Sequence, residues 1–307
     1  MTHSTSSLAA QLAGLHDLTQ QTYPTGALYV VATPLGNLAD ISLRALHVLG
    51  LVDAIACEDT RNTGALLTRY GIKSTLFAAH EHNEREAAEQ VLQRLQSGQR
   101  VALVSDAGTP AVSDPGARMV DTVLAAGLRV IPLPGPSAMV AALSVSGLLS
   151  GEFHFAGFLP TRAAQRASAL RKLANISATL VFYEAPHRVL ETVQALQAEL
   201  GGERMLVICR ELTKQFEQVQ RCRLDQAQAW LEANDNHQRG EFVLLVEGAP
   251  EQEADSGEVD RVLGLLLEQC PVKQAATLAA QILGMKKNAL YDRALELKKA
   301  GSDAEEP

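Results

Sequence analysis

Two segments decide the fold, ALYVVATPLGNL (residues 27–38) and VALVSDAGTPAVSDPG (residues 101–116). Each begins with a run of apolar residues and continues into small, polar and turn-forming residues. Consecutive apolar residues are typical of a strand buried on both faces, as parallel strands are when helices cover the sheet. The two segments therefore predict parallel strands whose carboxyl ends lead into polar loops.

Short apolar runs alternate with helix-length amphipathic stretches on both sides of these segments. The predicted strands are Ala27–Thr33, Ala54–Glu58, Thr75–Ala79, Val101–Ser105 and Arg129–Leu133. The predicted helices are Ser42–Leu51, Thr63–Tyr70, Glu84–Gln96, Ala117–Ala126 and a small-residue helix at Ser137–Leu148. This alternation predicts an α/β domain with a parallel sheet and right-handed crossovers.

The pattern starts again after residue 150. Predicted strands are Phe153–Leu159, Thr179–Glu184, Leu206–Glu211, Gln218–Arg223 and Glu241–Glu247, and predicted helices are Arg162–Ala174, Pro186–Leu200 and Asp225–Ala233. Because Leu206–Arg223 has the form of a hairpin, we expect a mixed sheet. Three further helices are predicted at Val259–Leu267, Val272–Leu283 and Asn288–Lys298.

These patterns divide the chain into six parts. We expect a flexible tail over residues 1–25, an N-terminal α/β domain over 26–149 and a second α/β domain over 150–247. A linker over 248–257 leads to a small helical segment over 258–300, and residues 301–307 form an acidic tail.

Composition indicates a globular protein of the cytoplasm. Hydrophobic residues make up 47% of the chain, and no apolar run reaches the roughly 18 residues of a membrane helix. The four cysteines form no C-x-x-C pair, so they suit a reducing compartment. His80-Glu81-His82 has no third placed ligand, and we expect no metal site.

Charge is segregated along the chain. The formal net charge of -8 argues against a nucleic-acid partner, since such proteins are usually basic. However, residues 271–299 carry six basic and only two acidic side chains. Such a stretch has the character of a local phosphate-binding patch on an acidic protein.

Four predicted strands of the first domain end in small or polar residues, which predicts one crevice. The strand ends are TPLGNL (33–38), EDTR (58–61), SDAGTP (105–110) and PGPSA (134–138). Ligands of open parallel sheets bind outside these ends. Each loop alone is equally compatible with a plain turn or a helix cap. The chain has neither G-x-G-x-x-G nor G-x-x-x-x-G-K-[ST], so a dinucleotide or a nucleotide triphosphate is not indicated.

Six motifs in one order resemble the ribosomal RNA small subunit methyltransferase I family. They are TPLGNLADIS, CEDTR, SDAGTPAVSDPG, PGPSA, YEAPHR and CRELTKQFE. The resemblance implies the two-domain tetrapyrrole-methylase fold and S-adenosylmethionine-dependent 2'-O-methylation of a cytidine (cytidine-1402) in the decoding region of 16S rRNA. It also implies a homodimer and the small ribosomal subunit as partner.

The resemblance implies donor-binding positions residue by residue, while basic character and position in the chain supply the RNA-binding candidates. Donor contacts are implied at Pro34, Leu35, Asp106, Ala107, Gly108, Val112, Ser113, Ser137, Ala138, Tyr183 and Leu212. Candidate RNA contacts are Arg61, Arg162, Arg166, Arg188, Lys286, Lys287, Asn288, Tyr291 and Arg293. The last five surround the turn before the final helix, so residues 258–300 are interpreted as an RNA-binding segment in which basic residues and an aromatic ring contact backbone and bases.

A general base would assist attack by the weakly acidic 2'-hydroxyl. The candidates are Asp59, Glu184, His187 and Glu211. His187 is equally compatible with a stacking or capping role at a helix start, and Asp59 with an ion-pair network that includes Glu58 and Arg61. Two other functions remain open at this stage. One is a precorrin methyltransferase of the same fold, although TPLGNL replaces the G-x-G-x-G-D-type loop of those enzymes. The other is a non-catalytic RNA-binding assembly factor.

Overall fold

The computed structural model of the chain describes residues 15–250, 256–283, 285 and 287–303. Contacts divide the chain into two compact units, Met1–Gly248 and Ala249–Pro307. The first unit contains two five-stranded sheets, and the second unit is helical.

The first sheet is entirely parallel. Its strands are β1 (Ala27–Val31), β2 (Ala54–Cys57), β3 (Leu76–Ala78), β4 (Val101–Val104) and β5 (Arg129–Leu133), in the order β3-β2-β4-β1-β5. All its strand pairs run in the same direction. The predicted parallel sheet is therefore confirmed, and the central strands β2 and β4 are buried throughout, as their apolar runs require.

Helices cover both faces of this sheet. They are α1 (Leu15–Gln20), α2 (Leu43–Leu51), α3 (Thr60–Arg69), α4 (Glu84–Gln96) and α5 (Ala117–Ala125). Side chains fix where two of them begin, because Ser42 accepts a hydrogen bond from the Ala45 amide and Asp59 accepts one from the Arg61 amide. Short 3-10 turns lie at Leu38–Asp40, Glu81–Asn83, Pro186–Arg188 and Asp235–Gln238.

The stretch expected to be a flexible tail is partly structured. Residues 1–14 lie outside the described residues, but Leu15–Gln20 is helical. Leu18 and Tyr23 are buried, and the Tyr29 hydroxyl donates to the Pro24 carbonyl at 2.8 Å. The apolar side chains of residues 15–25 therefore add to the first domain instead of leaving this stretch as a tail.

The second sheet is mixed. Its strands are β6 (Phe153–Phe158), β7 (Thr179–Glu184), β8 (Met205–Arg210), β9 (Gln218–Arg223) and β10 (Phe242–Val246), in the order β6-β7-β10-β8-β9. Only β6 and β7 run parallel, and β8 with β9 forms the predicted hairpin.

Alternate residues of the second sheet face two different cores. Leu180 and Phe182 pack with α7 (Ala163–Leu173), α8 (Val189–Leu200) and α9 (Leu224–Glu232). Val181 and Tyr183 face the other way, toward α6 (Ala138–Ser146). This period of two is the signature of a sheet covered on both sides.

The second unit consists of α10 (Ser256–Leu267), α11 (Val272–Leu283) and α12 (Lys287–Asp303). Small residues permit close packing, since Ala276, Ala279 and Ala294 are buried together with Leu263 and Leu290. Three helices in this region were predicted, and the structure confirms them. None of the described helices combines the length and apolar character that a membrane crossing needs.

Candidate active site

A cavity of about 440 Å³ lies where the loops after β1, β2, β4 and β5 meet the second sheet. From the first sheet it is lined by Leu35, Glu58, Asp106, Ala107, Gly108, Thr109, Val112, Asp114, Ser137 and Ala138. From the second sheet it is lined by Phe158, Tyr183, Glu184, Ala185, Pro186, Cys209, Leu212, Glu241, Phe242 and Val243. The crevice expected at the strand ends is therefore present, and the second sheet forms its other wall.

Most of the positions that the sequence implied for the donor line this cavity. They are Leu35, Asp106, Ala107, Gly108, Val112, Ser137, Ala138, Tyr183 and Leu212. The two that do not line it are Pro34, which is buried below the first loop, and Ser113, which lines a neighbouring cavity.

The loops after β1 and β4 are joined by backbone hydrogen bonds. The Thr33 amide donates to the Gly108 carbonyl and the Gly108 amide donates to the Thr33 carbonyl, both at 2.9 Å. The Thr33 hydroxyl donates to the Ser105 carbonyl at 3.0 Å. Gly108 has a φ of 83°, a conformation that favours glycine. These contacts hold the two loops as one rigid rim.

The Asp106 carboxylate is oriented by the start of α3. One oxygen accepts from the Asp59 amide at 3.2 Å, and the other accepts from Asn62 Nδ2 at 2.7 Å. Asp106 remains exposed to the cavity, so it can still accept hydrogen bonds from a ligand. Asn62 was not singled out from the sequence, because its role depends on how α3 approaches β4.

Tyr183 joins the second sheet to the start of α6. Its hydroxyl accepts from the Met139 amide at 3.1 Å, and the rings of Phe155 and Phe158 meet it edge-on, with centroids 4.9 and 5.7 Å away. Burial raises the pKa of Tyr183, so the phenol is neutral and keeps a proton to donate. The amides at the start of α6 can receive an anionic group such as a carboxylate.

Two of the predicted general bases have their carboxylates occupied. Both oxygens of buried Glu184 accept hydrogen bonds, from the Ala185 amide at 2.8 Å and the Thr192 hydroxyl at 2.6 Å. Glu211 accepts from Lys214 Nζ at 2.8 Å. These carboxylates stabilise loops, so neither suits proton abstraction.

The other two candidates lie outside the cavity lining. The Asp59 carboxylate is bound by the Arg61 guanidinium, which lowers its pKa to about 2 and makes it a weak base. His187 is exposed on the 3-10 turn after β7 and does not line the cavity. The geometry thus gives no support to Asp59 or His187 as the base.

Glu58 and Asp114 are carboxylates of the cavity that were given no role as bases from the sequence. Burial raises the pKa of both. For Asp114 it rises to about 6, with repulsion from Glu58 and Asp106 adding to burial. Glu58 ends the predicted strand Ala54–Glu58, so the rule that ligands bind at the carboxyl ends of strands could have identified it. Asp114 lies ten residues beyond the end of β4, so only the path of the loop brings it back to the cavity.

The arginines expected at the RNA fall into two groups. Arg61 and Arg162 are exposed. Arg166 is buried, donating to Glu191 at 3.1 Å and to the Thr161 carbonyl at 3.3 Å. Arg188 donates to the Leu159 carbonyl at 2.5 Å and pairs with Glu184. The guanidinium groups of Arg166 and Arg188 are used inside the fold, which corrects their assignment to RNA contact.

In the helical unit the expected RNA contacts also fall into two groups, exposed residues and a paired arginine. Lys287, Asn288 and Tyr291 are exposed within the first turns of α12. Arg293 forms a bidentate pair with Asp260, at 2.8 and 2.7 Å, so it links α12 to α10. Lys286 lies outside the described residues. Arg293 therefore contributes to packing of the unit, and its partly exposed side chain leaves an RNA contact as an expectation.

Comparison with known proteins identifies the class to which this fold and cavity belong. Residues 27–228 match the family model of the tetrapyrrole (corrin/porphyrin) methylases, and residues 253–298 match the model described as the RsmI C-terminal HTH domain. The methyltransferase CobJ has a similar fold, with a TM-score of 0.55 at 20% identity over 73% of this chain and 95% of its own. Fold and site thus define a tetrapyrrole-type methylase.

Relatives at higher identity narrow this class. Ribosomal RNA small subunit methyltransferase I of Escherichia coli O157:H7 is 50% identical over 272 residues, which is 88% of this chain and 95% of the relative. The protein of that name from Pseudomonas aeruginosa is 51% identical over 274 residues, 88% of this chain and 97% of its own length. The chain belongs to the ribosomal RNA small subunit methyltransferase I family. The resemblance, the fold class and the enzyme class predicted from the sequence are confirmed.

Proposed function

We propose that this protein transfers a methyl group from S-adenosylmethionine to the 2'-hydroxyl of a cytidine, cytidine-1402 of 16S rRNA, in the small ribosomal subunit. The family supplies the reaction class. The choice of S-adenosylmethionine as the methyl donor rests on the negative charge of the cavity lining.

The cavity is suited to a cationic ligand. Among the described residues, its lining includes the acids Glu58, Asp106, Asp114, Glu184 and Glu241 and contains no Lys, Arg or His. A phosphate-bearing ligand would meet only like charge there, whereas the positive sulfonium of S-adenosylmethionine is attracted. The volume of about 440 Å³ also falls in the range of small-molecule sites.

The lining offers partners for each part of the donor. We assign the Asp106 carboxylate to ribose hydroxyls or the ammonium group. The amides of Ser137 and Ala138, at the start of α6, are assigned to the carboxylate. Leu35, Val112 and Leu212 supply apolar surface for the adenine ring, which completes a site that grips the donor at several points.

The RNA contacts are proposed on both units. Exposed Arg61 and Arg162 are the remaining arginine candidates on the first unit. On the second unit, Lys287 and Tyr291 are one helical turn apart and both exposed, which suits a phosphate contact beside a stacking ring. These assignments rest on exposure and charge.

A homodimer acting in the cytoplasm is part of the same proposal. Its support is an apolar surface on and after α6, where Val140, Val145, Leu149 and Phe153 are all more than half exposed. Large apolar side chains left exposed close together along the chain are expected at an interface. The mass in solution and its change in Val145→Glu would test this assignment, with a monomer expected for the variant.

The central experiment is methyl transfer to small ribosomal subunits that lack the modification. Purified protein is incubated with labelled S-adenosylmethionine, and the labelled nucleotide is mapped. We expect one 2'-O-methylated cytidine in the decoding region. Donor binding without transfer would instead favour a non-catalytic assembly factor, and transfer to a precorrin would favour a tetrapyrrole substrate.

A further inference from the structure

The loop after β4 separates the donor cavity from a second, more open cavity of about 460 Å³. The second cavity is lined by Glu84, Ser113, Asp114, Pro115, Ala117 and Arg118. Asp114 is the one described residue that lines both. We infer that the acceptor nucleotide enters through the second cavity and that Asp114 accepts the proton of its 2'-hydroxyl. This inference rests on the proposed function and deepens it.

The backbone around Asp114 is strained and firmly held. Ala111 and Ser113 are non-glycine residues with left-handed φ values of 67° and 62°. Residues in this conformation persist only where their surroundings hold them there, often at functional sites. Glu84 holds the segment that follows, because its carboxylate accepts from the amides of Gly116 and Arg118 at 3.0 and 3.2 Å. The loop that carries Asp114 is therefore held between the two cavities.

The groups around Asp114 make it a stronger base than an ordinary aspartate. Glu58 and Asp106 repel its negative charge from the donor side, while a hydrogen bond with Ser105 partly opposes them. Tyr183 faces it as a neutral phenol across the donor cavity. On the acceptor side the charged groups are Glu84 and Arg118, which are paired at 3.5 Å. Burial and repulsion raise the pKa of Asp114 to about 6, so it is ionised at pH 7 and still accepts a proton readily.

The proposed step is balanced by a single proton acceptor. The 2'-oxygen forms a bond to the methyl carbon, the carbon–sulfur bond breaks, and its electron pair stays on sulfur as the neutral thioether of S-adenosylhomocysteine. The hydroxyl proton passes to the Asp114 carboxylate, which later releases it to water. Arg118, with a side chain 70% exposed, is placed to meet a phosphate beside the acceptor ribose.

The test of Asp114 is the single-turnover rate of methyl transfer against pH. In the wild-type protein we expect the rate to rise with pH up to about 6 and then stay level. For Asp114→Asn we expect a loss of at least about 100-fold at pH 7.5. Without the carboxylate, hydroxide must take the proton, so the rate of the variant should rise continuously with pH. Its affinity for S-adenosylmethionine should remain within about threefold, since Asp106 and α6 are unchanged.

Glu58→Gln is the matched control, because Glu58 is a carboxylate of the donor cavity that does not line the second cavity. It should keep a level region at neutral pH, and its rising limb should move below pH 6 because one source of repulsion on Asp114 is gone. A wild-type rate in Asp114→Asn, or the same pH profile in it, would overturn the inference while leaving the proposed function intact. If Asp114→Asn fails to fold, the wild-type protein still tests the inference. A wild-type rate that does not rise with pH up to about 6 would overturn it. If the wild-type protein transferred no methyl group to the small ribosomal subunit, the proposed function would be wrong as well.

The entry route is tested with Arg118→Ala and its control Arg85→Ala. Both arginines lie on neighbouring helical segments and are largely exposed, with Arg85 pairing to Glu89 and not lining the cavity. We expect Arg118→Ala to raise the KM for the ribosomal subunit by about tenfold and to leave donor affinity unchanged. An equal effect of both substitutions, or none for Arg118→Ala, would contradict entry through the second cavity.

Discussion

Gly36 lies directly beneath Lys214, across the gap between the two sheets of the first unit. A Cβ atom at position 36 would overlap the Cγ of Lys214. The Nζ of Lys214 is held at 2.8 Å by both Glu211 and Glu241, so its side chain has little freedom to move away. The loop after β1 and the loop after β8 therefore fit together because residue 36 has no side chain.

Gly36→Ala should weaken donor binding by displacing Lys214 from this contact. We expect about a tenfold loss of affinity for S-adenosylmethionine, measured by calorimetry, because the rim of the cavity is shifted. Gly50→Ala is the control, since position 50 lies in α2 with no neighbour within 4 Å of an added Cβ. That change should leave affinity intact and stabilise the helix by about 0.5–1 kcal/mol. Equal donor affinities in both variants would contradict the role of the contact.

Asp106→Ala should abolish measurable donor binding. The carboxylate is the only acidic group of the SDAGTP loop in the cavity, and its orientation is set by Asn62. Asn62→Ala should therefore have a smaller effect of the same kind, about three- to tenfold, since the carboxylate remains but loses one hydrogen bond. Binding is measured by calorimetry. If Asp106→Ala bound S-adenosylmethionine with full affinity, the assignment of Asp106 to the donor site would be wrong.

Gly157 and Ser113 form a second contact between the sheets. A Cβ on Gly157 would lie 2.9 Å from Ser113 Oγ, and Gly157 itself has a φ of 65°. Gly157→Ala should lower the free energy of unfolding by about 1–3 kcal/mol, from backbone strain and overlap together.

Ser113→Gly should partly restore the stability of Gly157→Ala. It removes the overlapping hydroxyl and relieves the left-handed φ of residue 113, which leaves only the strain at residue 157. A double-mutant cycle in chemical denaturation measures this coupling. If the two effects simply add, the contact makes no energetic contribution.

Lys287→Glu should weaken binding to the small ribosomal subunit and reduce its salt dependence. Removing one phosphate contact lowers the slope of log affinity against log salt by about one. Lys299→Glu is the control, because Lys299 is exposed on the same helix about 18 Å farther along. Donor affinity should not change in either variant. An identical loss for both lysines would indicate a general effect of charge and not a contact at the start of α12.

Asp114→Asn should make the fold more stable at neutral pH. The folded protein raises the pKa of this carboxyl from 3.8 to about 6, so the protonated form favours folding. Its contribution is complete below pH 3.8 and is lost as the pH rises through about 6. The amide, which never ionises, should therefore add about 1–2 kcal/mol above pH 6, since partial exposure of Asp114 to solvent weakens the effect of the charge. The advantage in thermal unfolding should shrink between pH 6 and 4, and a constant advantage would contradict the raised pKa.

Elements that local patterns specify could be predicted from the sequence. The runs at residues 27–31 and 101–104 are apolar at every position, and both are strands of the parallel sheet. The hairpin at Leu206–Arg223 and the three C-terminal helices were likewise predicted, since turn residues and helical periodicity are local signals. The positions of Asp106, Ser137 and Tyr183 in the cavity follow from the strand-end rule and the family resemblance.

Local patterns could not decide which charged groups are available. Arg166 and Arg293 have the sequence character of surface arginines, but their ion pairs join residues 25 and 33 positions away. Glu184 is one of the predicted bases, but the buried Thr192 hydroxyl donates to its carboxylate. Such pairings depend on how helices dock, which a one-dimensional pattern does not contain.

The sequence by itself determined the strands, the helices, the family and the edge of the sheet where the cavity lies, because each follows from neighbouring residues or from motif order. Only the tertiary structure decided which carboxylates line that cavity, and so which of them is proposed as the base. Asp114 reaches the cavity through a strained loop, and burial beside Glu58 and Asp106 sets its pKa. Desolvation and repulsion are properties of groups brought together in space, so they arise only once the chain has folded.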